Sequence, residues 1–217
     1  MNDLHHHHPV RRAGGATTTR ERIVATARRV FAERGYDGAS IREITAGAEV
    51  NLGAVTYHFG SKHALYEAVL EDAFQPLVER MAAAPAPAPD ESMLDGIERV
   101  ARWLFEHLDA NPDLQFLVLQ QLTTQQEIPA PAARVFAGLY RLLAERIAAG
   151  QARGEVREGD PVLMAISVAS QPAYFALVAR YLLHRLALSG RAPAWERIVD
   201  HGVGFLRAGL AATEADT

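Results

Sequence analysis

Residues 40–62 are the part of this 217-residue chain whose residue types and spacing suit contact with a polyanion. Tyr57 offers a hydroxyl group to phosphates or base edges, and His58 donates hydrogen bonds. Gly53 and Ala54 are small, which permits close approach to the wall of a groove or to a thymine methyl group. These residue types predict binding to nucleic acid rather than covalent chemistry.

Lys62 adds a positive charge at the end of this stretch. It is the only lysine in the chain, which otherwise uses arginine for its basic residues. It stands at the predicted start of a helix, where the first backbone N–H groups have no intrahelical acceptor. An ammonium group and free N–H groups together form an anion site, so Lys62 is a candidate phosphate contact.

Two short helices must position these side chains. Ser40 opens the first helix, with Glu43 three residues later at the spacing of a capping box, and Gly47 ends it. Asn51 is a suitable N-cap for the second helix, which is predicted over Leu52–Phe59. Two short helices joined by such a turn are typical of a helix-turn-helix, in which the second helix is the recognition helix.

A longer helix on each side completes the predicted head. The first begins near Thr19, and its apolar face is formed by Ile23, Ala27, Val30 and Phe31. Gly35 is placed to end that helix with a left-handed cap. Gly60 ends the recognition helix, and Ser61 caps a fourth helix that is predicted to run to about Met81.

The rest of the chain also has helical patterns, so the predicted fold class is all-α. We expect helices near 91–110, 112–124, 130–152, 159–187 and 193–212, with prolines near their starts and glycines near their ends. The alternating prolines of residues 82–89 predict an extended connector. The predicted organisation is a disordered tail at 1–18, a helix-turn-helix head at 19–63 and a helical body at 64–217.

Charge and composition narrow the function. Residues 1–70 hold nine Lys/Arg and seven Asp/Glu, whereas residues 71–217 hold 13 and 19, so a mildly basic head joins an acidic body. This asymmetry favours a head that binds nucleic acid. The absence of cysteine excludes disulfides and thiolate ligands and favours a cytoplasmic location. No 18-residue stretch is free of polar side chains, so no membrane partner is expected.

The sequence also bears on two other classes of protein. An enzyme is disfavoured because the chain has no phosphate-loop, dinucleotide-binding, zinc-protease or nucleophile-elbow motif, and no cofactor or metal is expected. The tract His5–His8 suits either a metal ion or an unstructured remnant. A helical interaction protein whose head no longer binds DNA stays open, because the head charge is modest and Leu52 is apolar.

Four segments in order resemble the TetR/AcrR family of one-component transcriptional repressors. They are residues 19–23 (TRERI), 31–36 (FAERGY), 40–44 (SIREI) and 57–62 (YHFGSK). The resemblance covers about residues 19–70. The stretch Val50–Val55 is also similar to the CecR-type subgroup.

The resemblance implies that the head binds double-stranded DNA in the major groove. It implies phosphate contacts from Ser40 or Ile41, Tyr57 and Lys62, and base contacts from residues among Asn51–Ala54, Thr56 and His58. The full candidate set is Ser40, Ile41, Arg42, Asn51, Leu52, Gly53, Ala54, Thr56, Tyr57, His58 and Lys62. Leu52 and Thr56 depart from the commonest family pattern, which has Lys or Arg at the first position and Tyr or Phe at the second. Backbone positioning by Tyr57 and Lys62 is therefore the safer inference.

The resemblance also implies that the body forms a homodimer and binds a small-molecule effector. Candidate effector contacts combine apolar and polar side chains; they are Trp103, His107, Gln120, Gln121, Phe136, Tyr140, Gln171, Tyr174 and Phe175. Candidate dimer contacts lie on the last two helices; they are Ala169, Ala173, Ala176, Trp195, Val199, Val203 and Phe205, with the subunit core as the alternative location. The expected function is a repressor released from a palindromic operator by its effector.

Overall fold

The structure, a computed structural model, describes residues 17–84, 90–117, 128–181 and 194–212. Its helices are α1 (Thr19–Gly38), α2 (Ile41–Gly47), α3 (Gly53–Phe59), α4 (Lys62–Ala83), α5 (Met93–Ala110), α6 (Ala130–Ala152), α7 (Pro161–Tyr181) and α8 (Trp195–Leu210). Within the described ranges the only extended pairing is an isolated bridge between Val156 and Ala211. The predicted all-α fold is confirmed.

The first helix starts and bends differently from the prediction. Thr18 and Glu21 form a reciprocal capping box, in which each side chain accepts from the other residue's backbone N–H at 3.2 and 2.8 Å. Gly35 has a positive φ of 73°, as its predicted cap position requires, but it bends the helix instead of ending it. The chain makes a further turn to Gly38, and the N–H of Ala39 bonds back to the Gly35 carbonyl at 3.2 Å.

The caps of the two short helices need correction. Ser40 caps α2 by accepting from the N–H of Arg42 at 3.2 Å, but Glu43 forms an ion pair with Arg34 at 2.9 Å rather than a capping box. Asn51 does not cap α3 with its side chain, and that helix begins at Gly53, one residue later than predicted. The Asn51 backbone carbonyl takes part instead, accepting from the N–H of Ala54 at 3.0 Å.

The fourth helix joins the head to the body. Ser61 caps α4 by accepting from the N–H of Ala64 at 3.1 Å, and the helix ends at Ala83, two residues beyond the predicted end. In its first half Tyr66 packs edge-on against Phe31 of α1, with ring centres 4.9 Å apart. In its second half Phe74 packs against the α6 ring of Phe136 at 6.1 Å. One hydrophobic core therefore runs from the head through α4 into the body.

The helices of the body agree with the sequence prediction where the structure describes them. The helix predicted at 130–152 has those bounds, and α5, α7 and α8 begin within two residues of their predicted starts. Of the helix predicted at 112–124, residues 114–117 are helical, and 118–127 lie outside the described residues. Residues 1–16 (including His5–His8), 85–89 and 182–193 also lie outside them.

The two outer helices of the body differ in their packing. Helix α8 lies close against α5, because a Cβ atom on Gly202 would stand 2.7 Å from the Phe105 ring. The stretch Pro161–Val178 of α7 is long and apolar enough to cross a membrane, with a mean hydropathy of 1.5, although only 28% of it is buried. Helix α7 contacts α5, α6 and α8, so it is part of the body, with one face left exposed.

Candidate nucleic-acid interface

The turn between α2 and α3 is held from outside by α1. The Arg22 guanidinium donates to the backbone carbonyl of Ala48 and, at 3.0 Å, to that of Glu49. Glu49 has a left-handed φ of 52°, and the next N–H, of Val50, closes the turn on the Thr45 carbonyl at 3.0 Å. These bonds satisfy the last carbonyl groups of α2 and fix the direction in which α3 leaves the turn.

Helix α3 is anchored by one side and exposed on the other. Val55 is buried in the core of the head, whereas Thr56 and His58 are exposed. Tyr57 is 85% exposed, and Leu52, which precedes the helix as its N-cap, is 53% exposed. This surface exposes a hydroxyl group, an amphipathic ring and an apolar side chain to solvent. Such a surface suits insertion into a groove of a nucleic acid.

Lys62 is held in place beside this surface. Its Nζ lies 4.7 Å from the centre of the Tyr36 ring and 3.4 Å from the Asp37 carbonyl oxygen, to which it donates. Burial and the charge of Asp37 raise the pKa of the Tyr36 phenol, so the ring under the ammonium group stays neutral. Lys62 therefore lies fixed at the start of the 22-residue helix α4, and its role as an anion site stays a prediction.

Of the predicted DNA-binding residues, Asn51, Gly53, Ala54, Tyr57 and His58 border one surface depression of the head. Of the full predicted set, the exposed members are Ser40, Arg42, Asn51, Leu52, Gly53, Thr56, Tyr57 and His58, and the partly buried members are Ile41, Ala54 and Lys62. Sequence reasoning missed the role of Arg22 in holding the turn. It also missed Arg20, whose guanidinium lies 5.2 Å from the Phe59 ring centre. Both arginines lie in residues 19–23, the first of the four segments that resemble the TetR/AcrR family. That resemblance was the sequence signal that could have identified them.

A cavity of about 420 Å³ lies in the body between α4, α5, α6 and α7. Of the effector candidates, His107, Phe136, Tyr140 and Tyr174 line it, whereas Trp103, Gln171 and Phe175 are not among its described lining residues. Phe175 packs instead against Phe105, with ring centres 6.3 Å apart. The Gln171 Oε1 is buried with no hydrogen-bond partner in the described part of the chain. Gln120 and Gln121 lie outside that part.

His107 is the most perturbed titratable group of this cavity. It is 7% exposed, and its burial together with repulsion from Arg28 and Arg80 lowers its pKa to about 4. The ring is therefore neutral at pH 7. His107 also lies close to the junction with the head, because its backbone carbonyl accepts from Asn111 Nδ2 at 2.8 Å, and Asn111 Oδ1 accepts from Arg28 of α1 at 2.9 Å.

The dimer candidates divide into exposed and internal residues. Ala173 and Phe205 are exposed, Ala169, Trp195 and Val199 are partly buried, and Ala176 and Val203 are buried within the subunit. The sequence reasoning did not name Val162, Leu163 and Ile166, which are 41–64% exposed on α7. Tyr174 of α7 and Phe205 of α8 are also large apolar side chains that are exposed.

Comparison with known proteins shows which family the head resembles. Residues 23–69 match the family model described as bacterial regulatory proteins, tetR family. The head of this chain is therefore similar to tetR-family regulatory proteins. The matched residues hold α2, α3 and Lys62, so the family match falls on the surface described above.

A curated relative and two solved structures extend the comparison beyond the head. The transcriptional repressor AcnR of Corynebacterium efficiens is 28% identical over 143 residues, which are 66% of this chain and 71% of AcnR. SCO4942 from Streptomyces coelicolor has a TM-score of 0.71 at 23% identity and covers 89% of this chain and 98% of its own. AibR in complex with isovaleryl coenzyme A and operator DNA has a TM-score of 0.67 at 20% identity, covering 87% and 97%. At these identities the two structures show that the TetR-type fold extends over head and body.

Proposed function

We propose that this protein is a homodimeric TetR-family repressor that binds a near-palindromic operator and leaves it when a small molecule occupies the body. One observation carries the proposal: the exposed face of α3, with Tyr57 85% exposed, lies in a tetR-family segment that also positions Lys62. Its relative AcnR is named a transcriptional repressor, which supports repression over activation.

The dimer in this proposal forms through α7 and α8. Leu163 and Ile166 lie three residues apart on α7, Tyr174 lies two turns further on near the same face, and each exposes at least 41% of its surface. An exposed stripe of apolar side chains favours a protein–protein contact. A second copy of the chain covers such a stripe symmetrically and presents two heads to successive major grooves, about 34 Å apart.

The effector in this proposal occupies the cavity beside His107. The cavity is bounded by the second half of α4, whose first half belongs to the head. A ligand that binds one separation of the two heads better than another shifts the protein towards that state, by no more than its difference in affinity. AibR, which shares the fold, is described in complex with isovaleryl coenzyme A and operator DNA, and this supports control by a small molecule.

Several finer assignments belong to the same proposal. The stretch Val50–Val55 supports a place near the CecR-type members of the family. The head comprises 19–63, and 64–217 forms the effector-binding and dimerisation body. Binding rather than catalysis is the activity, and a regulator of chromosomal genes acts in the cytoplasm.

A gel-shift series tests the proposal. The full-length protein is titrated against DNA that flanks its own gene, at several salt concentrations and with nonspecific competitor. We expect a discrete complex that the double variant Tyr57→Ala/Lys62→Ala no longer forms. Arg141→Ala is the matched control, because it also removes one positive charge but lies on the exposed side of α6. Equal binding by the double variant and the wild type would refute the assigned interface.

A further inference from the structure

The described wall of the body cavity carries no full charge. Sixteen described residues line it, and none of them is Asp, Glu, Lys or Arg. The described wall therefore supplies no cation for an acidic ligand.

The arginines that act on His107 are already paired. Arg28 binds Asp113 through two hydrogen bonds of 2.6 Å, and Arg80 binds Glu106 at 2.6 Å. Burying a carboxylate or phosphate without a partner carries a large desolvation cost. An anionic ligand would have to bear that cost or break one of these pairs.

His107 supplies a specific polar group. Asn111 Nδ2 donates to the His107 carbonyl at 2.8 Å, and this bond fixes the orientation of the amide. The same Nδ2 lies 3.5 Å from His107 Nδ1, so Nδ1 is the acceptor and the neutral ring carries its proton on Nε2.

The Nε2–H group has no partner of normal geometry. It is shielded from water, and no described group accepts its proton in a hydrogen bond. The Ala73 carbonyl of α4 favours the charged ring and acts to raise its pKa, but no hydrogen bond of normal geometry joins it to Nε2. A buried donor without an acceptor is costly. His107 lines the cavity, but its Nε2 is inaccessible to water in the free protein, so a ligand acceptor reaches it after a shift of the imidazole ring, and the bond that forms removes that cost.

We propose that the cavity binds a neutral, largely apolar small molecule with one hydrogen-bond acceptor, which receives the Nε2–H of His107, and that it rejects anionic analogues of the same skeleton. The inference rests on the proposed function, since it names the chemical class of the effector. The volume of about 420 Å³ lies in the lower part of the range for small-molecule sites. Coenzyme A thioesters, which carry several phosphate charges, are excluded by this chemistry.

Displacement of a neutral fluorescent probe, N-phenyl-1-naphthylamine, tests the ligand class. The competitors are methyl octanoate, octanoate and isovaleryl coenzyme A at pH 7.5, with the full-length protein. We expect methyl octanoate to displace the probe at a concentration at least about 10-fold lower than octanoate, and the thioester not to displace it. Equal or tighter binding of octanoate or the thioester would overturn the proposal.

Two variants locate the binding site. Leu108→Trp adds a large ring at the cavity wall and should abolish displacement by methyl octanoate, whereas Ala148→Trp on the exposed side of α6 should not. Circular dichroism and thermal melting show that each variant is folded. Unchanged displacement in a folded Leu108→Trp protein would place the ligand elsewhere and overturn the assignment.

Two substitutions of His107 test the acceptor. His107→Leu keeps the apolar volume and should weaken methyl octanoate about 10-fold while the probe still binds, because one buried hydrogen bond is lost. His107→Gln retains an N–H donor and should recover most of that affinity. Equal affinities in the wild type and both variants would overturn the role of His107.

Operator binding of the same preparations separates the two proposals. If the protein forms the operator complex but shows no preference for a neutral ligand, the proposed effector class is refuted and the proposed repressor function stands. If the protein binds methyl octanoate in the cavity but forms no operator complex, the proposed repressor function is refuted instead.

Discussion

The ion pair between Arg28 and Asp113 joins the first helix of the head to the segment after α5. Arg28 donates to both carboxylate oxygens of Asp113 at 2.6 Å and to Asn111 Oδ1 at 2.9 Å. Their side chains are 22% and 27% exposed, so water screens the pair only partly. Exposed ion pairs contribute about 0–1 kcal/mol, and breaking a buried pair costs about 3–5 kcal/mol. For this half-buried pair we expect Arg28→Met to lower the free energy of unfolding by about 2 kcal/mol.

The neighbouring residue provides the matched control. Arg29 forms an ion pair with Glu33 at 3.5 Å, and their side chains are 59% and 54% exposed. Arg29→Met makes the same chemical change on the same helix, and we expect it to lower the free energy of unfolding by no more than about 0.5 kcal/mol.

Urea unfolding followed by circular dichroism measures both variants at one fixed protein concentration, because a dimer's stability depends on concentration. A double-mutant cycle with Asp113→Ala should give a coupling energy of about 1–2 kcal/mol. Equal effects of Arg28→Met and Arg29→Met, or a coupling energy near zero, would refute the role of this pair in joining head and body.

Four further predictions follow from the interface and the body. Lys62→Ala should weaken binding to all DNA sequences alike and reduce the slope of log affinity against log salt by about one unit, as measured by fluorescence anisotropy; an unchanged slope would contradict its phosphate contact. His58→Ala should change the preference among operator variants by about 1–3 kcal/mol if His58 contacts a base, and a uniform loss across variants would assign it to the backbone. Phe205→Glu places a charge on the exposed apolar surface and should shift the protein from dimer to monomer in sedimentation analysis; a dimer of unchanged affinity would contradict the α7–α8 interface. The pKa of His107 is about 4 in the folded protein and 6.5 in the unfolded chain, so the unfolded chain takes up the proton first as pH falls. Stability should therefore be retained above pH 6.5 and fall by up to roughly 3 kcal/mol towards pH 4, and His107→Leu should flatten that fall in urea titrations.

Local sequence signals predicted the helices well and their caps less well. The helix at 130–152 has its predicted bounds, and Ser61 and Gly60 act as predicted at the ends of neighbouring helices. The capping box at Ser40 failed because Glu43 has a competing partner, Arg34, on another helix. The capping-box spacing considers only residues near one another in the sequence, whereas the ion pair between Arg34 and Glu43 depends on how α1 and α2 pack.

The exposed face of α3 was more predictable than the cavity. The exposed residues of α3 follow from one short helix with a single buried anchor, Val55. Which residues line the cavity depends on how four helices face one another, and the periodicity of the sequence does not reveal this. The predicted effector contacts therefore included Trp103, which is not among the described lining residues, and omitted Leu108, which is.

The apolar surface of α7 was not readable from its pattern. Apolar residues occur on all sides of the helix: Leu163 and Ile166 are exposed, while Met164, Ala165 and Val168 are buried. A helix that is apolar all round has no polar face to mark the side that meets solvent. The sequence therefore predicted that α7 and α8 form the interface but named some residues that point into the subunit, such as Ala176.

Nuclease footprinting of the full-length protein on DNA that flanks its own gene tests the central claim most directly. A TetR-family repressor with two α3 helices should protect a near-palindrome whose half-sites are centred about one helical turn apart, at two subunits per site or a multiple of two. Protection should persist with competitor DNA and disappear in the Tyr57→Ala/Lys62→Ala variant. Sequence-independent protection that vanishes at moderate salt, or equal protection by that variant, would contradict operator recognition by this face of the head.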